Sequence, residues 1–181
     1  MRKRAAVVGA AVLFLTSACA DGGDASQQEG QTAPPAAAAA PDAASVSQWA
    51  SLVAPHAREW HDQVDTVEED CRRPATVVAC HLGYMTLSLQ AETIAVVLTG
   101  VSSNPGHSDY LGEPPAEIDR LVERTIEAAE DVEPAYEAYA DTGCGDPYAE
   151  ECRAEAFAMR IAVGDLTSAY DAWAPYLGSR R

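Results

Sequence analysis

The chain has 181 residues, 12 of them basic and 28 acidic, for a formal charge of −16 at pH 7. Such a surplus of carboxylates repels phosphate backbones and anionic headgroups, which argues against nucleic-acid binding and against adhesion to lipid by charge. Once a leader and a polar linker are set aside, the remaining length suits one domain with a real core and is too short for two.

Arg2, Lys3 and Arg4 stand ahead of an apolar run from Ala5 to Leu15. At 1.5 Å per residue this run reaches roughly 16 Å, about half a bilayer core, too short for a membrane span. A basic head, a short apolar middle and a small-residue exit read as a secretory signal over residues 1–18. The stretch Leu15-Thr16-Ser17-Ala18-Cys19 resembles the lipobox of bacterial lipoproteins, with Thr16 where that family carries an aliphatic residue. The resemblance implies cleavage just before Cys19, diacylation of the Cys19 thiol, and a protein lipid-anchored to the outer face of the cell membrane. Two or three acyl chains exceed what a reversible single-chain anchor provides. Ala18-Cys19-Ala20 also fits an A-x-A site, and cleavage after Ala20 would release a freely secreted protein.

Residues 19–44 then carry Gly22-Gly23, Gln27-Gln28, Pro34-Pro35 and an alanine run from Ala36 to Ala40. Nothing here builds an apolar face, so the expectation is a disordered tether. Its end-to-end distance would be on the order of 25–30 Å, enough to clear a headgroup layer.

Loss of residues 1–18 removes three of the 12 basic residues and no acids, leaving nine arginines against 28 carboxylates, a charge of −19. Four cysteines remain in the body, and an exported chain with an even count reads as disulfide-bonded. The close spacings favour two local bonds, Cys71–Cys80 and Cys144–Cys152. Each would close a loop of about nine residues and contribute roughly 2–3 kcal/mol. The C-x₂-C spacing of structural zinc sites is absent.

Four helices follow from the hydrophobic periodicity. The first covers residues 45–70, with Val46, Trp49, Val53, His56, Trp60, Val64, Val67 and Cys71 on one stripe and Pro55 inside it as a kink or break. The second covers 75–99 and stops at Gly100. Its core stripe is expected to be Val78, Leu82, Met85, Leu89 and Val96, widened by Ile94, Val97 and Leu98. Turn signals at Asn104-Pro105-Gly106 and Gly112 then mark a long loop, with His107 in a mobile position. The third helix covers 115–141, with Pro134 interrupting it. Its acidic run, Glu123, Glu127, Glu130, Asp131 and Glu133, reads as a solvated face. The fourth covers 147–174, with Tyr148, Cys152, Ala156, Met159, Val163, Leu166, Tyr170 and Trp173 in near-heptad order. Asp146 and Pro147 suit its cap and first turn.

The fold class is therefore all-α, an up-down-up-down four-helix bundle with two local disulfides over residues 45–178 and a short tail at 179–181. Both short turns and their disulfides would share the pole away from the membrane.

The familiar catalytic signatures are missing: no G-x-S-x-G, no Walker loop, no H-E-x-x-H and no C-x-x-C. Di-iron bundles need Glu three residues before His on two helices, and no histidine here has it. Covalent haem needs C-x-x-C-H, of which Cys80-His81 keeps only the end. The remaining metal or haem candidates are His56, with Glu59 a turn away, and His81 with Met85, near Glu92. His61 reads as a surface residue. Asp141, Asp146, Glu150 and Glu151 form an acidic turn without EF-hand spacing, which suits capping better than calcium. Trp49, Trp60, Tyr136, Tyr139, Tyr170 and Trp173 would fill the core or line an apolar pocket.

These readings combine into a non-enzymatic, membrane-tethered binding module of the cell envelope that needs no cofactor. It would act on an envelope protein partner through its bundle surface. A small-ligand, metal or haem carrier using His56, His81 and Met85 is the alternative.

Overall fold

The computed structural model describes residues 44–72, 77–143 and 149–178, all of them helical or in connecting turns. The signal, Cys19, the tether up to residue 43, Cys144, Asp146, Pro147, Tyr148 and the tail at 179–181 lie outside the described residues.

The first helix, α1 (Val46–Cys71), opens on a reciprocal cap. The Gln48 backbone N–H donates to Ser45 Oγ at 3.3 Å, and the Ser45 N–H donates to Gln48 Oε1 at 2.8 Å. Two donors that the first turn would leave orphaned are thereby satisfied. The helix runs unbroken through Pro55. Pro55 and Ser51, the residue four positions earlier whose carbonyl loses its partner, are both exposed, so water can take up that carbonyl. Trp49, Val53, Trp60 and Val67 are buried as the periodicity predicts. At the far end Cys71 is disulfide-bonded to Cys80. Cys152 is buried and also disulfide-bonded, and Cys144, its expected partner, lies outside the described residues.

The second helix, α2 (Val77–Ser103), runs through Gly100 instead of stopping there. It packs against α1 on one side and the third and fourth helical segments on the other. Here the expected stripe is overturned. The buried face carries Cys80, Tyr84, Leu87, Ala91, Ile94, Leu98 and Val101, while Val78, Leu82, Met85, Leu89 and Val96 face outward. A helix apolar all round gives periodicity two faces to choose from, and close approach of backbones makes the choice. Gly83 lies on the side that meets Val67 of α1, where a Cβ would overlap the valine side chain.

The loop after α2 folds back on its end. Leu111 and Gly112 both donate their N–H groups to the Val101 carbonyl, at 2.8 and 3.1 Å. Gly112 has φ +78°, a conformation glycine adopts without strain. His107, expected to be mobile, is partly buried and its ring is seated over Gly100, where an added Cβ would lie 3.2 Å from Cδ2.

The expected third helix is two segments, α3 (Asp119–Glu130) and α4 (Val132–Asp141), separated at Asp131. The break places Pro134 third in α4, where its missing N–H is one of the donors a first turn leaves unbonded in any case. Ile118, Val122, Thr125, Ala128, Ala129, Val132 and Tyr139 face the core.

The last helix, α5 (Arg153–Asp171), begins later than predicted, after a single 3₁₀ turn at Glu150–Cys152. Its seam holds as read: Cys152, Ala156, Met159, Val163, Leu166, Tyr170 and Trp173 are all buried. Two indoles tie it to its neighbours. Trp60 Nε1 of α1 donates to Thr167 Oγ1 at 2.9 Å, and Trp173 Nε1 donates to Thr125 Oγ1 of α3 at 3.0 Å. Each threonine hydroxyl in turn donates to a carbonyl four residues back, Val163 and Leu121 respectively, at 2.7 Å.

Candidate functional site

Three contacts set the register of α1 against α2: the Cys71–Cys80 bond, Val67 against Gly83, and a hydrogen bond from Gln90 Nε2 to Glu59 Oε1 at 3.3 Å. The helices therefore run antiparallel, and the position opposite His56 is close to Ile94. That is about 20 Å along α2 from His81 at 1.5 Å per residue. The structure does not bring the two histidines together. His81 stacks beside Tyr136 and Tyr139 of α4, with ring centroids 6.0 and 5.9 Å away, while Met85 turns outward. Burial pushes the His56 pKa below its ordinary value, and Glu59 opposes the shift. His56, His81 and Met85 therefore do not converge on one place in the fold.

His61, expected at the surface, is half-buried, with Nε2 3.4 Å from Asp171 Oδ1 of α5. Asp141 and Glu150 of the acidic turn are exposed. Among the described residues, no group of three or more histidine, cysteine, aspartate or glutamate side chains is arranged to hold a metal. The aromatic set is core: Trp49, Trp60, Tyr139, Tyr170 and Trp173 are all buried and Tyr136 partly so. Burial drives the Tyr170 pKa up, with Glu59 adding to the effect.

The feature that periodicity misplaced is the outer face of α2. Val78 is 72% exposed, Leu82 48%, Met85 37%, Leu89 56% and Val96 65%. Steps of 4, 3, 4 and 7 put them on one line, with Glu92 filling the missing place in the last interval. These are the a and d positions of a heptad, the spacing that suits a seam between two helices. Glu92 is the one charged residue of the helix. The span Val78–Ser103 has a mean hydropathy of 1.3 and is long and apolar enough to cross a membrane by length and composition. Its inner face is nonetheless packed in the protein core through Leu87, Ala91, Ile94 and Leu98.

Compared with protein-family models, curated proteins and solved structures, the chain finds no match.

What the arrangement can do is set by chemistry that is mostly apolar. The ridge offers no nucleophile beside a base and no convergent polar groups. It offers a straight, uncovered strip of aliphatic side chains on a rigid helix, in a protein whose charge is otherwise strongly negative.

Proposed function

We propose that this chain is an exported, membrane-tethered, non-enzymatic binding module, and that the α2 ridge is its working surface. The occupant is a basic amphipathic helix of an envelope protein partner, laid along Val78, Leu82, Met85, Leu89 and Val96 with a cationic side chain opposite Glu92. The observation that carries the reading is the outward heptad line. Its five side chains expose roughly 500 Å², at the upper end of the largest apolar patch on an ordinary monomer, which is often a functional one. Charge selects the partner. A second exported copy would bring a net charge of −19 against its like, and a basic helix would not. The lipobox-like residues supply the tether through Cys19, and the body follows as an up-down-up-down bundle whose second disulfide joins Cys144 to Cys152.

A photo-reactive residue placed at Leu82 in the natively expressed protein tests the docking. The expected result is a cross-link to a partner segment with apolar residues at a and d and lysine or arginine beside them, lost in L89E. Cross-linking to a second copy, to lipid, or to nothing would overturn it. Intact mass of the same material tests the tether: a diacylated Cys19 terminus is expected, and a free terminus at Asp21 would replace the anchor with secretion.

A further inference from the structure

A second surface lies on another part of the molecule. Helices α1 and α5 meet where Trp60 bonds Thr167 and His61 reaches Asp171. Toward the Cys71 end a groove of about 620 Å³ lies between them. Its floor is Tyr84 and Leu87 of α2, and its walls include Val64, Val67, Phe157 and Val163. Phe157 is 62% exposed, an uncovered ring on a wall already apolar. From Arg153 to Thr167 the groove follows α5 for roughly 21 Å. That exceeds the depth of one acyl chain in a bilayer, about 15 Å. The volume falls within the usual range of ligand pockets, roughly 300–1,000 Å³.

The charge around this groove is the reverse of the chain's. Arg72, Arg153 and Arg160 line it against a single carboxylate, Glu68, in a protein with 28 acids and 12 bases. Glu68 is already engaged with Arg72 at 2.8 Å. Among the described residues, no carboxylate lies within ion-pair distance of Arg153 or Arg160. Two guanidinium groups left unpaired beside an apolar trough fit a ligand with a greasy tail and an anionic head.

We propose that the α1–α5 groove binds a single-chain amphiphilic anion, its acyl chain along Val64, Leu87, Phe157 and Val163 and its head group held by Arg153 and Arg160. A fatty acid carboxylate and a lysophospholipid phosphate share this chemistry. The groove is independent of the α2 ridge, so either surface can fail without the other.

The test uses the full oxidised chain and a fluorescent fatty acid displaced by palmitate, by palmitoyl lysophosphatidylglycerol, or by neutral hexadecanol, all below their micellar range. One of the two anions is expected to bind saturably at one per chain, and the tighter one identifies the source. Hexadecanol is expected to bind about tenfold or more weakly, since it lacks the charge the arginines recognise. The exposed pair R153Q/R160Q should weaken the anion by about tenfold or more. A Cβ at Gly164 meets nothing within 4 Å, so G164F can enter the groove and block binding while the protein stays folded. Should G164F unfold, R153Q/R160Q still decides. No saturable binding of either anion, hexadecanol matching the anions, or unchanged affinity in folded variants would each overturn the proposal.

Discussion

Gly83 of α2 faces Val67 of α1 so closely that a Cβ on the glycine would overlap the valine side chain. The contact holds the two helix axes together one turn beyond the Cys71–Cys80 bond and turns α2 so that Leu87, Ile94 and Leu98 enter the core. Ala is the better helix former by about 0.8–1 kcal/mol, yet overpacking costs about 1–3 kcal/mol. Gly83→Ala is therefore expected to destabilise by about 1 kcal/mol, net of these two effects. Gly164→Ala, where a Cβ meets nothing within 4 Å, should stabilise by about 0.5–1 kcal/mol. Urea melts of the two variants check this, and a shift of the same sign in both would contradict it.

The rotation of α2 has a sharper consequence. Leu87 is buried, whereas Leu89 two residues on is among the exposed apolar side chains. Leu87→Ala should cost about 2–5 kcal/mol. Leu89→Glu should leave stability within about 0.5 kcal/mol, as surface changes do. Were the periodicity reading right, the order would be inverted, and thermal denaturation of the pair distinguishes them.

Three indoles are buried with different fates. Trp173 Nε1 donates to Thr125 Oγ1, and Trp60 Nε1 to Thr167 Oγ1, whereas Trp49 Nε1 has no partner among the described residues. Thr125→Val strands the Trp173 N–H and should cost about 1–3 kcal/mol. Trp49→Phe removes an N–H that was already unsatisfied, so part of its lost packing is recovered and it should cost less than Trp173→Phe. Equal losses in the two tryptophan variants would be inconsistent with this bonding.

Burial lowers the His56 pKa below 6.5, with Glu59 offsetting part of the shift. The unfolded chain then binds this proton more readily than the folded one. Stability is fully present above 6.5 and falls as pH drops from there through the folded value. Between about pH 7.5 and about pH 5.5 the urea midpoint of the native sequence should decline more than that of His56→Gln. Parallel declines would show that this side chain takes no part.

Local pattern decided a good deal. The seam of α5 was legible because Cys152, Ala156, Met159, Val163, Leu166 and Tyr170 recur at steps of three and four on one line, even though Phe157 and Ile161 stay exposed. The stripe of α1 was legible for the same reason, and the Cys71–Cys80 bond followed from two cysteines nine positions apart across a turn. Pro134 gave warning of the break that separates α3 from α4, although Asp131 as the point of separation emerged only with the packing.

Tertiary packing alone decided the rest. Helix α2 carries aliphatic residues around its whole circumference, and periodicity cannot say which of two greasy faces is inside when both satisfy it. The bulkier line, Val78 to Val96, looked like the core. The line with Gly83, Ala91 and Ala95 among its large residues allowed the neighbouring helices to come close, and dispersion and burial favour the denser contact. The separation of His56 from His81, and the groove where α1 parts from α5, depend on register between helices distant in sequence. Spacing within one helix carries no information about that register.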